Sequence, residues 1–153
     1  MFNLSSATQE FLAHHQGQKI VFTNGCFDIL HIGHLRYLQA AKKLGDVLIV
    51  GLNADQSVRK LKGPTRPINP ENIRREFLLG LRWVDAVEIF SQETPLELIK
   101  AIKPQVLVKG GDWPVEKIVG HEFVQSYGGV VQSLPFVEGF STTGLIRKMQ
   151  QKT

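Results

Sequence analysis

Val21-Phe22-Thr23-Asn24-Gly25-Cys26-Phe27-Asp28-Ile29-Leu30-His31-Ile32-Gly33-His34 reads as a strand that passes through a glycine turn into a helix. The apolar, β-branched run Ile20 to Phe22 suits a buried strand, Asn24-Gly25 marks a turn, and helical periodicity begins near Gly33. Such a junction aims free backbone N–H groups and the positive end of a helix at one spot, which favours anions. His31 and His34 stand three residues apart at that mouth, a spacing that puts both rings on one side of a first helical turn. Neutral imidazoles donate to phosphate oxygens, and imidazolium offsets charge that builds on them.

Outward from this stretch, strands and helices alternate. The helix from Gly33 to Leu44 places Leu35, Leu38, Ala41 and Leu44 on one apolar side and Arg36, Gln39 and Lys43 on the other. Lys42 and Lys43 suit its negative end, and Gly45 suits a left-handed cap. Val47 to Leu52 is an almost unbroken apolar run, as in a strand covered on both faces. A short helix is expected over Asn53 to Leu61, followed by a basic loop from Lys60 to Arg66. Asn69-Pro70 opens a helix with Ile73, Phe77, Leu78 and Leu81 inward. Asp85 to Phe90 reads as a third strand, and Thr94-Pro95-Leu96-Glu97 as a capping box for a helix that Pro104 stops. Val106 to Val108 is a fourth strand ending at Gly110-Gly111. A helix is then expected over Glu116 to Tyr127, closing at Gly128-Gly129. A fifth strand, Val130 to Leu134, precedes a last helix capped by Ser141 or Thr142. This alternation predicts an α/β fold: a Rossmann-like, doubly wound parallel sheet of five strands with right-handed crossovers. Residues 1–17 form a helical lead-in with Phe11 and Leu12 free to pack, and 18–153 a single domain.

The 153 residues carry 18 basic and 14 acidic side chains, a net charge of +4, so the basic excess is mild. Lys60, Lys62, Arg66, Arg74 and Arg75 concentrate in one segment, and attraction of a small polyanionic substrate accounts for that without a nucleic-acid partner. Cys26, the single cysteine, cannot close an internal disulfide, which points to a reducing cytoplasm. No run is long and apolar enough for a signal peptide or a membrane span.

His31-Ile32-Gly33-His34 resembles the HxGH signature of the nucleotidylyltransferase superfamily, and Gly25-Cys26-Phe27-Asp28 resembles the lead-in of its cytidylyltransferase-like branch. Further matches follow in order: Leu-Lys-Gly-Pro-Thr-Arg-Pro at 61–67, Val-Lys-Gly-Gly-Asp-Trp at 108–113 and Val-Glu-Gly-Phe-Ser-Thr-Thr at 137–143. Together they span roughly residues 18–150 and are most similar to the adenylyltransferases of ADP-heptose synthesis. In a parallel sheet the four segments Thr23–His34, Lys60–Arg66, Lys109–Trp113 and Glu138–Thr143 would meet beyond the carboxyl ends of the strands.

The resemblance implies roles position by position. His31 and His34 would hold ATP phosphates and the transition state at the α-phosphorus, with Lys62 as a third catalytic cation and Lys60 beside it over the phosphates. Thr23, Cys26 and Phe27 would line the nucleotide, the last two through backbone. Arg82 takes the place of a nucleotide-contacting arginine. Gly110 would admit a ribose or base, and Asp112 would accept a hydroxyl hydrogen bond. Ser141, Thr142 and Thr143 would form a second phosphate cradle. Asp28 either holds its turn or approaches a metal, and Trp113 is either a base-stacking wall or packing. No set of ligands with zinc spacing is present, so no protein-held metal is expected.

The chain also departs from its relatives. Ile146 stands where the wider superfamily has a basic residue, and Arg147 lies about 100° further round the helix. Phe136-Val137 replaces the Arg-Thr of glycerol-phosphate cytidylyltransferases. Both differences favour the heptose-phosphate branch. The implied reaction is attack of a sugar 1-phosphate on the α-phosphate of ATP, with Mg²⁺ carried by the nucleotide, in a cytoplasmic homodimer with no nucleic-acid or membrane partner. Many relatives fuse this domain to a sugar kinase, and the present length suggests a stand-alone form. A cytidylyltransferase for glycerol 3-phosphate and a non-catalytic nucleotide sensor are the alternatives. Class I aminoacyl-tRNA synthetases also carry His-Ile-Gly-His, but the chain is short for one and has no Lys-Met-Ser-Lys-Ser run. Replacing His31 or His34 by Ala should lower turnover ~10²–10³-fold in a steady-state assay. Near-normal rates in both variants would remove the two histidines from the chemistry.

Overall fold

The computed structural model describes residues 1–152. Five parallel strands form one sheet in the order β3-β2-β1-β4-β5: β1 (Ile20–Gly25), β2 (Val47–Asn53), β3 (Ala86–Phe90), β4 (Val106–Gly110) and β5 (Val130–Leu134). The order reverses on either side of β1, so a crevice opens between the carboxyl ends of β1 and β4.

Strand alternation divides the core between the two faces. Val21 of β1, with Leu48, Val50 and Leu52 of β2, packs against Tyr37, Leu38 and Ala41 of α2 (Ile32–Lys42) and Leu78 of α4 (Glu71–Leu79). Ile20, Phe22, Val47 and Ile49 face the opposite layer, made by α5 (Leu96–Ile102) and α6 (His121–Ser126). The remaining helices are α3 (Asp55–Lys62) and α7 (Thr142–Gln151). The doubly wound parallel sheet expected from strand–helix alternation is therefore the fold.

Helix α1 (Ser6–His14) belongs to the second layer, where Phe11 and Leu12 pack on the core. It is anchored on the edge strand by Glu88, 5% exposed, whose carboxylate accepts from the Ser5 N–H (3.1 Å), the Ser5 hydroxyl (2.7 Å) and the Thr8 hydroxyl. His14 is exposed, and His15 stacks on Phe11 with centroids 4.0 Å apart.

Several local expectations change in three dimensions. The inward side of α4 is Arg74 and Leu78, whereas Phe77 is 58% exposed. Gly45 does not adopt a left-handed conformation. Its lack of a Cβ matters because the Lys19 carbonyl oxygen would lie 2.6 Å from one. The capping box at Thr94 does not form: Pro95 caps α5 and Glu97 pairs with Lys100 at 2.8 Å. The helix expected over 116–127 is split by Gly120 (φ +91°) into a 3-10 turn, Val115–Lys117, and α6.

Glu88→Ala would leave three donors without their acceptor. It should cost roughly 2–3 kcal/mol in chemical denaturation and speed amide exchange in α1. Unchanged exchange there would show that α1 is held by packing alone.

Candidate active site

The two histidines complete each other's hydrogen bonding at the start of α2. His31 is the N-cap residue, and its Nδ1 accepts from the Gly33 N–H at 3.1 Å. His34 Nδ1 accepts from the His31 N–H at 3.3 Å. This is a capping box built from imidazoles, and it settles the tautomers. With both Nδ1 atoms accepting, each neutral ring carries its proton on Nε2 and presents an N–H donor there. The rings lie 3.9 Å apart between centroids. Gly33 is obligatory, since a Cβ would sit 2.8 Å from His31 Cε1. Because both histidines cap the helix, an alanine at either position also removes up to about 1–2 kcal/mol of stability.

Before this cap, the chain turns sharply at Phe27, which adopts φ +44°. A left-handed bulky residue is strained, and here packing holds it: its ring meets His34 at 5.4 Å between centroids and is 7% exposed. Asp28 takes the turn-holding role. Oδ1 accepts from the Asn69 N–H (2.9 Å), and Oδ2 from the Ile68 N–H (2.8 Å) and Arg66 Nε (2.9 Å). Burial raises its pKa, but these donors outweigh that and bring it below the ordinary carboxylate value.

A second support was hidden among the basic residues. Arg74 is 1% exposed and donates to the carbonyls of Asn69 (2.9 Å), Cys26 (2.7 Å) and Asn53 (2.8 Å) and to Asp55 Oδ1 (2.8 Å). It ties the turn after β1 to the end of β2 and the start of α4. Its sequence signal was its place four residues before Leu78 on the inward side, a site that hydrophobic periodicity assigns to an apolar residue.

The carboxyl ends bring together part of the expected site. At the N-terminus of α7, Ser141 Oγ caps the helix by accepting from the Gly144 N–H (2.9 Å). Thr142 Oγ1 donates to the Ile29 carbonyl (3.1 Å), and Thr143 is exposed. Phe140 stacks on His31 with centroids 6.4 Å apart, so α7 begins beside the imidazole pair. Lys62, the last residue of α3, bears electrostatically on Cys26 together with Arg74 and Arg66. Burial still raises the thiol pKa above its usual value, so Cys26 is no ready nucleophile. Lys60 lies on the same last helical turn, exposed, rather than in a loop.

Other expected residues serve differently. Thr23 is 0% exposed and its Oγ1 shares a 2.6 Å hydrogen bond with the Tyr37 hydroxyl, so its side chain is structural. Arg82 lies between α4 and β3, at the amino end of the sheet and away from the histidines. Gly110 does not leave an open approach, because the Phe136 ring would lie 2.9 Å from a Cβ there. Asp112 is exposed just beyond β4, and Trp113 folds back to donate from Nε1 to the Gly110 carbonyl (3.1 Å).

Among the described residues no three His, Cys, Asp or Glu side chains gather as a metal site. Both Asp28 oxygens are already engaged by the N–H groups of Asn69 and Ile68 and by Arg66 Nε.

Burial, and secondarily the charge of His31, lowers the His34 pKa from 6.5 to about 4. Burial also lowers that of His31. A depressed histidine pKa means that the unfolded chain binds the proton more readily. The stability from neutral His34 is therefore complete above pH 6.5 and is lost progressively towards pH 4. The thermal midpoint should fall through that window more steeply in the native chain than in His34→Asn, as scanning calorimetry would show.

Comparison with known proteins agrees with this geometry. The model of the cytidylyltransferase-like family matches residues 22–148. The bifunctional protein HldE of Trichlorobacter lovleyi is 56% identical over 90% of this chain, and that of Alcanivorax borkumensis 53% identical over 90%. The chain spans only 28% and 29% of those two proteins. Among solved structures, the lipopolysaccharide core biosynthesis protein of Thermoplasma volcanium superposes with a TM-score of 0.63 at 31% identity, covering 79% of this chain and 98% of that one. A glycine-spaced histidine pair at the mouth of β1, on a doubly wound sheet matched almost end to end by the family model, places this chain in the cytidylyltransferase-like family.

Proposed function

We propose that the chain transfers the adenylyl group of ATP to D-glycero-β-D-manno-heptose 1-phosphate, giving ADP-heptose and pyrophosphate for lipopolysaccharide core synthesis. The observation that carries this reading is the reciprocal imidazole cap, which leaves two Nε2–H donors free beside the N-terminus of α2. A phosphate oxygen of the acceptor attacks the α-phosphorus of ATP. The new P–O bond forms as the bond to the bridging oxygen of pyrophosphate breaks. His31 and His34 donate to oxygens on which charge grows, and Lys62 balances the departing phosphates. No side-chain nucleophile takes part, in keeping with the raised pKa of Cys26. Mg²⁺ would travel on the triphosphate and neutralise part of its charge.

The choice of acceptor rests on similarity to the HldE proteins and to the Thermoplasma protein, and on Phe136 and Ile146 where glycerol-phosphate enzymes and the wider superfamily carry arginine or another basic residue. An ATP-using reaction of this kind fits a cytoplasmic protein, and among the described residues no helix is long and apolar enough to cross a membrane. Homodimerisation belongs to the same reading.

The test is pyrophosphate release over a grid of ATP and CTP against heptose 1-phosphate and glycerol 3-phosphate, with Mg²⁺. Turnover confined to ATP with the heptose phosphate is expected. Turnover with CTP and glycerol 3-phosphate would make the chain a cytidylyltransferase, and tight ATP binding without pyrophosphate would make it a sensor.

A further inference from the structure

Among the described residues, Arg66 is the one basic residue of this mouth that is both anchored and only partly used. Its side chain is 12% exposed and is gripped at Nε by Asp28 Oδ2 (2.9 Å). Among the described residues its terminal guanidinium nitrogens have no hydrogen-bond partner, and no buried side-chain nitrogen or oxygen is left unpaired, so these nitrogens reach solvent. The pairing is side-on through Nε alone. Asp28 does not need it to hold the loop, since each carboxylate oxygen already accepts a backbone N–H, from Asn69 and from Ile68. The contact therefore orients Arg66 more than it satisfies Asp28. A guanidinium fixed at Nε presents two parallel N–H groups in the geometry of a phosphate or carboxylate.

The position assigns the ligand. The segment from Arg66 to Asn69 belongs to the connection between β2 and β3 and is bolted to the turn after β1 from the β2 side. The crevice between β1 and β4, with Phe140 and Thr142 of the α7 start, lies on the other side of that turn. The imidazole pair stands between the two flanks. A nucleotide bound in the crevice would approach the histidines from the β4 side, which leaves the Arg66 flank free for a second phosphate compound.

We propose that Arg66, aimed by Asp28, binds the phosphate of the acceptor and holds it in line with the α-phosphorus. This rests on the transfer reaction proposed above. Arg66 is then a binding residue and Asp28 a positioning residue.

Steady-state kinetics of Arg66→Gln and Arg66→Lys provide the test. The acceptor KM should rise at least tenfold in Arg66→Gln and less in Arg66→Lys, with the KM for ATP within twofold of the native value. Asp28→Asn, which weakens the grip at Nε, should move the acceptor KM in the same direction. A rise in the KM for ATP alone, or unchanged constants with a lowered melting temperature, would overturn the assignment. If the native chain turns over no sugar phosphate, the reaction proposed above fails on its own account. The Arg66 site is then read by calorimetric titration with inorganic phosphate. Binding that weakens tenfold in Arg66→Gln supports the site, whereas equal or absent binding in both proteins overturns it.

Discussion

One guanidinium holds the functional end of this molecule together. Arg74 sits under the turn after β1 and supplies donors to carbonyls from three separate segments, those of Cys26, Asn53 and Asn69, while its charge is met by Asp55. Each of those carbonyls lies where a strand or loop has just left regular pairing, so each would otherwise face the interior without a donor. Removing a fully buried, multiply bonded cation typically costs about 3–5 kcal/mol because the groups around it stay behind unpaired. The turn after β1 and the Asn69 segment on which Asp28 is anchored both rest on this support.

The imidazole pair shows structure and chemistry sharing atoms. Each Nδ1 is spent on the backbone at the helix start, and that expenditure leaves each Nε2 protonated and facing outward. A helix N-terminus already favours anions. Adding two neutral donors, kept neutral by burial, gives attraction without the desolvation penalty of buried imidazolium. Gly33 is part of the same device, because any side chain there would collide with the His31 ring.

The aromatic residues on the β4 side have a different logic. Phe136 covers Gly110 and Gly111, and the Trp113 indole returns to the Gly110 carbonyl. The glycines that suggest room for a ligand are thus occupied by neighbouring rings. Beside these rings, Thr23 and Tyr37 share a buried hydrogen bond, the Tyr37 hydroxyl also reaches the Val108 carbonyl of β4, and burial raises the Tyr37 pKa to about 12. Polar side chains beside a phosphate site need not touch phosphate; some only hold the frame rigid.

Hydrophobic patterning was sufficient to identify the layers, because strands buried on both faces leave continuous apolar runs and the connecting helices leave apolar stripes. The strand–turn–helix junction and its histidines were equally legible, since their chemistry depends on local spacing. Partners distant along the chain were not legible. Helical periodicity puts Arg74 on the inward side of α4, but nothing local names the three carbonyls it meets, or shows that Thr23 faces Tyr37 and not a ligand. Those choices follow from which strand lies next to which, and a side chain's hydrogen-bond partner is set by that neighbour and not by its own sequence context. The same reason separates Arg66, held at the mouth by Asp28, from Arg82, carried by α4 to the other end of the sheet.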